Sequence, residues 1–295
     1  MTSVSIPYDP PFRFDLALRY LQRSPDELID LVARERHYRV IATAAGPSLI
    51  ELSSEGTAIR ATLLAGGAEP GDLEAATRRL YPAPSSGPYG EWDEPLATQL
   101  RASFGGLPVV QTLTPWEALV WAVIGQQINI AFAYRLKRAF VGDFGERVLH
   151  DDRRYFAFPA PERVAALDHE RDLRPLQFSR QKSRYIIAAA QAVLDGTLDF
   201  EAIAALDDEA ASAALQRQLG IGRWTAEYIL LRGFGRFDVI PAGDAALKAL
   251  VGQHLALGRS ATELEVRELS ERWKPWRGET AFMLWFAKQA GFFQE

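Results

Sequence analysis

Apolar and polar positions change their period along this chain, and the change falls near residues 105–112. Before it, short runs alternate or carry β-branched residues: YRVIAT at 38–43, LIELSS at 49–54 and AIRATLL at 58–64. Such runs mark strands, and Ala45-Gly46-Pro47 and Glu55-Gly56-Thr57 supply turns between them, so an antiparallel meander is expected. Residues 14–22 (FDLALRYLQ) read as a short amphipathic helix. ELIDLVARE at 27–35 fits helix or strand, and the Pro-, Gly- and Ser-rich YPAPSSGPYG at 81–90 reads as a loop.

From residue 112 onward the strand pattern stops. Thr114-Pro115-Trp116-Glu117 places a capping threonine, a proline at the first helical position and a glutamate three residues after the cap. That is the pattern of a capping box at a helix start. The helix carries Leu119, Val120, Val123 and Ile124 and breaks near Gly125-Gln126-Gln127. A second passes Phe132, Leu136 and Phe140 to a stop at Gly142-Asp143-Phe144-Gly145. Further helical stretches are expected at 161–167, 180–194, 207–219, 224–233, 244–255, 261–273 and 276–289. The pattern therefore predicts an α+β protein: an N-terminal mixed α/β domain with an antiparallel sheet at 1–108, then an all-α domain at 109–295.

Composition narrows the chemistry. The 295 residues are 48% hydrophobic and 24% charged, which suits an ordinary packed core. There is no cysteine, so disulfides, thiolate zinc sites, cysteine nucleophiles and cysteine-held iron–sulfur clusters are excluded. His37, His150, His169 and His254 stand far apart with no metal-ligand spacing. No apolar run of about 18 residues is present, and MTSVSIPYDPPFRF lacks a basic region followed by an apolar one, so a cytoplasmic protein is expected. The net charge of −5 means that any grip on nucleic acid must come from local clusters and backbone amides.

One stretch offers such amides. In LGIGRWTAEY (219–228), Gly220 and Gly222 join two helices in a tight hairpin. Gly220 can take a left-handed conformation, and Gly222 leaves N–H groups bare at the next helix start, where the dipole favours an anion. An ordinary helical turn with a glycine cap explains the same letters. Arg217 and Arg223 flank the turn, and RPLQFSRQKSR at 174–184 holds Arg174, Arg180, Lys182 and Arg184 with no acid, so it can serve as a phosphate track or a solvated face. Downstream, Asp244 in FDVIPAGDAALKAL heads an apolar helix. It is a helix cap, a fixed catalytic carboxylate, or both. Trp224 and Tyr228, four apart, share a helix face, and RWKPWRGETAFMLWFAK adds Trp273, Trp276, Phe282, Trp285 and Phe286, as core or as a pocket.

In these segments the chain resembles the helix-hairpin-helix DNA glycosylases, specifically the bacterial 3-methyladenine DNA glycosylase II type. The likeness runs through WEALVWAVIGQQINIAFAYRLKRAFVGDFG (116–145), QKSRYIIAAAQAVLDGTLDF (181–200), LGIGRWTAEYILLRGF (219–234), Asp244 and RWKPWRGETAFMLWF (272–286). The resemblance implies a hairpin at about 207–233 and Asp244 as the catalytic aspartate. It implies a base pocket of Trp224, Tyr228 and Trp285, joined by Tyr20 from the N-terminal domain. Backbone amides around Gly220, Gly222 and Thr225, beside Arg223, would hold DNA phosphate. The carbonyls of Gln216, Gln218 and Ile221 would hold a monovalent cation when DNA is bound, with no cofactor otherwise required. Gln127 stands where the family's best-known member has an apolar wedge.

The implied activity is that of a monomeric enzyme on double-stranded DNA. It flips out an alkylated, cationic purine and cleaves its glycosidic bond, with 3-methyladenine, 7-methylguanine, ethenoadenine and hypoxanthine all open as targets. A related branch uses a lysine at the position of Trp224 to cut the strand, so no lyase activity is expected here. Two other assignments compete: a non-catalytic helix-hairpin-helix module for damaged DNA, and a helical small-molecule enzyme.

Overall fold

The computed structural model describes residues 2–83 and 94–293; residues 84–90 of the expected loop lie outside these. The first part is a five-stranded antiparallel sheet in the order β1-β5-β4-β3-β2. Its strands are β1 (Ser3–Pro7), β2 (Leu31–Ala33), β3 (Arg36–Thr43), β4 (Gly46–Glu55) and β5 (Ala58–Ala65), with α1 (Phe14–Leu21) crossing between β1 and β2. The three expected strands are the three central ones, because alternation is clearest where one face is buried. In β5, Ile59 and Ala61 are buried while Arg60 points to solvent. The ambiguous segment at 27–35 becomes the three-residue β2. Strand β1 and two helices, α2 (Pro70–Leu80) and α3 (Pro95–Phe104), are additions to the expected pattern. Both helices start with proline after an acidic cap, Glu69 and Glu94.

Helices dominate thereafter: α4 (Pro115–Gly125), α5 (Ile130–Phe144), α6 (Pro161–Ala165), α7 (Arg180–Leu194), α8 (Phe200–Ala204), α9 (Asp208–Gln216), α10 (Arg223–Gly233), α11 (Ala245–His254), α12 (Glu263–Ser270) and α13 (Arg277–Gln289). This part is nevertheless not all helix. Strands β6 (Arg147–His150) and β7 (Arg153–Phe156) form a hairpin across Asp151-Asp152, both at positive φ (45° and 58°). Two left-handed residues match the twist of a two-residue hairpin, and aspartate tolerates that region better than most residues. The strands are four residues each and rich in charge, so their alternation escapes a pattern search. Their packing has a purpose: Tyr155 and Ala157 cover Val40 and Leu49 on the sheet.

The start of α4 also differs from expectation. Thr114 caps it by accepting from the Glu117 N–H at 3.2 Å, but the Glu117 carboxylate does not return to the cap. It is buried at 3% exposure and pairs with Arg39 of β3 instead. A buried charge takes a buried opposite charge in preference to a solvated amide.

Apolar packing does not divide the molecule at residues 108/109. One core joins the sheet, α1, α2 and α3 to residues of α11, α12, α13 and the turn between the last two, among them Leu247, Trp273, Phe282 and Phe286. A second core is built from α4, α5, α7, α9 and α10. The chain leaves the first core, builds the second, and returns, and a cleft lies where the two meet.

Candidate active site

The hairpin between α9 and α10 owes its shape to one glycine. Gly220 sits at φ +80°, and a Cβ there would stand 2.2 Å from the ring of Tyr185. Gly222, at φ −85°, has nothing within 4 Å of such a Cβ; it opens on solvent as the N-cap of α10 and offers no side-chain cap. The first-turn N–H groups of α10, including Thr225, therefore lack partners within the helix. Arg223 beside them is exposed and holds Glu227 at 3.0 Å. On the other side of the turn, Gln218 O accepts one hydrogen bond from Ile221 N–H. The carbonyls of Gln216 and Ile221 accept none among the described residues. Free carbonyls at the end of α9 suit a cation held by oxygen atoms.

Gln126, just past α4, braces this turn. Its Nε2 donates to Gly220 O at 3.0 Å and to Thr225 Oγ1 at 3.1 Å. The sequence carried a trace of it, as a polar residue at a helix break, but no spacing rule points to its partner.

Asp244 caps α11. Its Oδ1 accepts from Ala246 N–H at 2.9 Å, Leu247 N–H at 3.0 Å and the indole Nε1–H of Trp285 at 3.1 Å. Oδ2 has no partner among the described residues. One oxygen is thus fixed by three donors and the other is left for chemistry. The carboxylate faces a cleft of about 690 Å³ that is also lined by Trp224, Tyr228, Trp285 and Tyr20. Ring centroids of Trp224 and Tyr228 are 5.9 Å apart, and those of Tyr228 and Trp285 are 6.0 Å apart. Burial raises the Tyr228 hydroxyl above its ordinary range, with Arg232 opposing, so it stays neutral. Of the C-terminal aromatics, Trp273, Phe282 and Phe286 are core, and Trp285 turns to the cleft.

Gln127 is placed elsewhere. It is exposed at φ +56°, on the far side of a short ridge, where it lines a second cavity of about 310 Å³ with Gln126, Gln181 and Lys182. Ile128 belongs to both cavities. Ile130, at the mouth of the cleft, is 58% exposed. The basic run is less free than its letters imply. Arg174 and Arg180 both pair with Glu170, and Lys182 donates to Ile124 O, with burial lowering its pKa.

Two cleft residues had no signal in the pattern. Trp121 of α4 lines the cleft above Tyr134, and Arg23, two residues past α1, lies in the wall beside Tyr20. Lys288 and Gln289 of α13 complete it. Among the described residues there is no cluster of acids and histidines able to hold a metal ion, and no helix long and apolar enough to cross a membrane.

Comparison with known proteins agrees with this arrangement. A putative DNA-3-methyladenine glycosylase of Bacillus subtilis is 28% identical over 288 residues, covering 94% of this chain and 96% of its own. DNA-3-methyladenine glycosylase 2 of Escherichia coli is 34% identical over 190 residues, 64% of each chain, so the match spans just under two thirds of that relative. The 3-methyladenine DNA glycosylase structure from Archaeoglobus fulgidus shares the fold across 99% of both chains, with a TM-score of 0.82 at 24% identity. Residues 120–275 match the family model described as HhH-GPD superfamily base excision DNA repair protein, a span holding the hairpin and Asp244 alike. The chain belongs to the HhH-GPD superfamily of base excision DNA repair proteins.

Proposed function

We propose that this chain is a monofunctional DNA glycosylase that binds double-stranded DNA as a monomer, draws an alkylated purine into the cleft and hydrolyses the bond between base and sugar. The observation that carries this is a single carboxylate with one unshared oxygen, in the same cleft as three indoles and two phenols. The full-length B. subtilis relative and the E. coli relative are named as 3-methyladenine glycosylases, which supports alkylated purines as the substrate class.

The chemistry follows from charge. Purines methylated at N3 or N7 carry a formal positive charge, which a well-placed ring attracts by about 0.5–2 kcal/mol. The same charge makes the base a good leaving group, so the second carboxylate usual in glycoside hydrolysis is not needed. As the C1′–N9 bond breaks, its electron pair neutralises the purine and positive charge gathers on the sugar. Asp244 Oδ2 faces that charge and orients the water that adds at C1′, while Oδ1 stays locked by α11 and Trp285.

Extrusion needs an anchor on the DNA backbone. The first-turn amides of α10 around Gly222 and Thr225, with Arg223, supply one without net positive charge on the protein. Gln216, Gln218 and Ile221 carbonyls would hold a monovalent cation beside it, which when bound adds positive charge facing a phosphate. Gln127, exposed just beyond the ridge at Ile128, fills the space that the base leaves.

Asp244→Asn tests the assignment. The amide can still accept from the Ala246 and Leu247 N–H groups, so folding and DNA affinity should persist. Single-turnover release of 7-methylguanine or 3-methyladenine should fall by about three orders of magnitude or more, the scale set by loss of an essential transition-state charge. Release at the wild-type rate would remove Asp244 from the mechanism.

A further inference from the structure

The wall of the cleft at Tyr20 and Tyr134 carries an uncompensated cation. The Arg23 guanidinium lies 4.2 Å from the ring centroid of Tyr20, and that of Arg232 lies 5.2 Å from the same ring. Arg23 donates through Nε to the Tyr134 hydroxyl and through Nη1 to the Tyr20 hydroxyl. Arg232, buried below, donates to Tyr20 at 2.6 Å and to Val110 O. Burial pushes the Tyr134 hydroxyl up to about 12, so it remains a neutral acceptor. Neither arginine pairs with a carboxylate among the described residues. The nearby acids are taken, Glu27 by Lys137 and Asp30 by Arg39 and His37. Arg23 Nη2 is left with no hydrogen-bond partner among the described residues, on a side chain that lines the cleft.

We infer that Arg23 reads the extruded base: Nη2 donates to an oxygen at position 6 of the purine, so the cleft favours 6-oxopurines, 7-methylguanine and hypoxanthine, over the 6-aminopurine 3-methyladenine. This rests on the glycosylase function proposed above. The sugar end of the base must lie by Asp244, which α11 and Trp285 hold. Position 6 is the part of a purine remote from N9, and Arg23 belongs to the wall of Tyr20 and Tyr134. A guanidinium has only donors and never loses its proton. A 6-oxo group accepts from it, whereas a 6-amino group meets it donor to donor and leaves a half-buried N–H unpaired. Charge alone does not separate the two methylated bases, since both are cations; the acceptor does.

The same contact gives a neutral base a way to leave. When C1′–N9 of a deoxyinosine breaks, the electron pair goes to the purine and is shared with O6, next to the Arg23 guanidinium. Water adds to C1′ and releases its proton to solvent, and the purine anion takes up a proton from water.

Single-turnover excision of 7-methylguanine, hypoxanthine and 3-methyladenine from one duplex sequence by wild type, Arg23→Gln and Arg23→Lys tests this. The glutamine amide can accept from a 6-amino group, so Arg23→Gln should lower the rates on both oxopurines by about tenfold to a hundredfold relative to 3-methyladenine. Arg23→Lys keeps a charged donor and should keep the wild-type order. Rate ratios in Arg23→Gln equal to those of wild type, including a uniform loss on all three bases, overturn the assignment, as does a reversed order in Arg23→Lys. Wild-type protein inactive on all three would instead sink the glycosylase function on which it rests.

Discussion

Asp244 divides its duties between its oxygens. Capping occupies Oδ1, and Trp285 adds a third donor that no cap requires. Helix cap and catalytic carboxylate, both open in the sequence, are compatible: capping through Oδ1 fixes the direction of the carboxylate and leaves Oδ2 to the cleft. Trp224 bears on a different question at the same scale, strand cleavage. Its indole lines the cleft where a lysine would offer a nucleophilic amine, and the amine among the cleft-lining residues is that of Lys288 on α13. Lys288 is exposed on α13, not on the hairpin helix α10 that carries Trp224. Borohydride added during turnover should accordingly trap no protein–DNA adduct on denaturing gels. An adduct seen with wild type and absent in Lys288→Ala would overturn strictly hydrolytic cleavage.

At the scale of elements, the two glycines of the hairpin separate cleanly. Gly220→Ala forces a left-handed alanine and drives its Cβ into the Tyr185 ring, at a cost of about 2–4 kcal/mol. Gly222→Ala meets open space at an ordinary φ and loses only the modest cap preference for glycine, about 1 kcal/mol or less. Urea midpoints should fall for the first and barely move for the second. The second should instead weaken affinity for duplex DNA, because its new methyl stands where a phosphate approaches the amides. Equal midpoints for both would remove Tyr185 as the constraint. The sequence showed both glycines but could not rank them, since the ring that makes Gly220 obligatory lies 35 positions away. Local rules served wherever partners are local: caps, breaks and alternation located the central strands and the helices from α4 to α13 that matter to the cleft. They failed at Gln126, Trp121 and Arg23, whose partners come from distant segments. They failed also at β6 and β7, where charged four-residue strands leave no alternation to see. Asp244, Trp224, Tyr228, Trp285 and Tyr20, which the family resemblance singled out, share one cleft, and Gln127 does not.

Across the whole molecule, the position of Tyr20 and Arg23 in the cleft depends on how the sheet is moored to the helices. The mooring is ionic and buried. Arg39 of β3 reaches Asp30 at 2.9 Å and Glu117 of α4, Lys137 of α5 reaches Glu27 at 2.8 Å, and His37 bridges Asp30 and the Tyr81 hydroxyl. Arg39 holds Asp30 well below the usual carboxylate range against the opposing effect of burial, whereas burial raises Glu117 despite Arg39. Such a network costs desolvation to form but is far costlier to break in half. Glu117→Ala leaves Arg39 with one carboxylate in a dry site, and unfolding free energy should drop by about 3–5 kcal/mol. Removing the stranded charge as well, in Glu117→Ala with Arg39→Met, should recover part of that loss, since an apolar side chain asks for no partner. Urea unfolding of the wild type, the two single variants and the double variant measures the coupling directly. Strictly additive losses would mean that Arg39 and Glu117 act independently, and that apolar packing alone fixes the sheet against the helices and the N-terminal wall of the cleft with it.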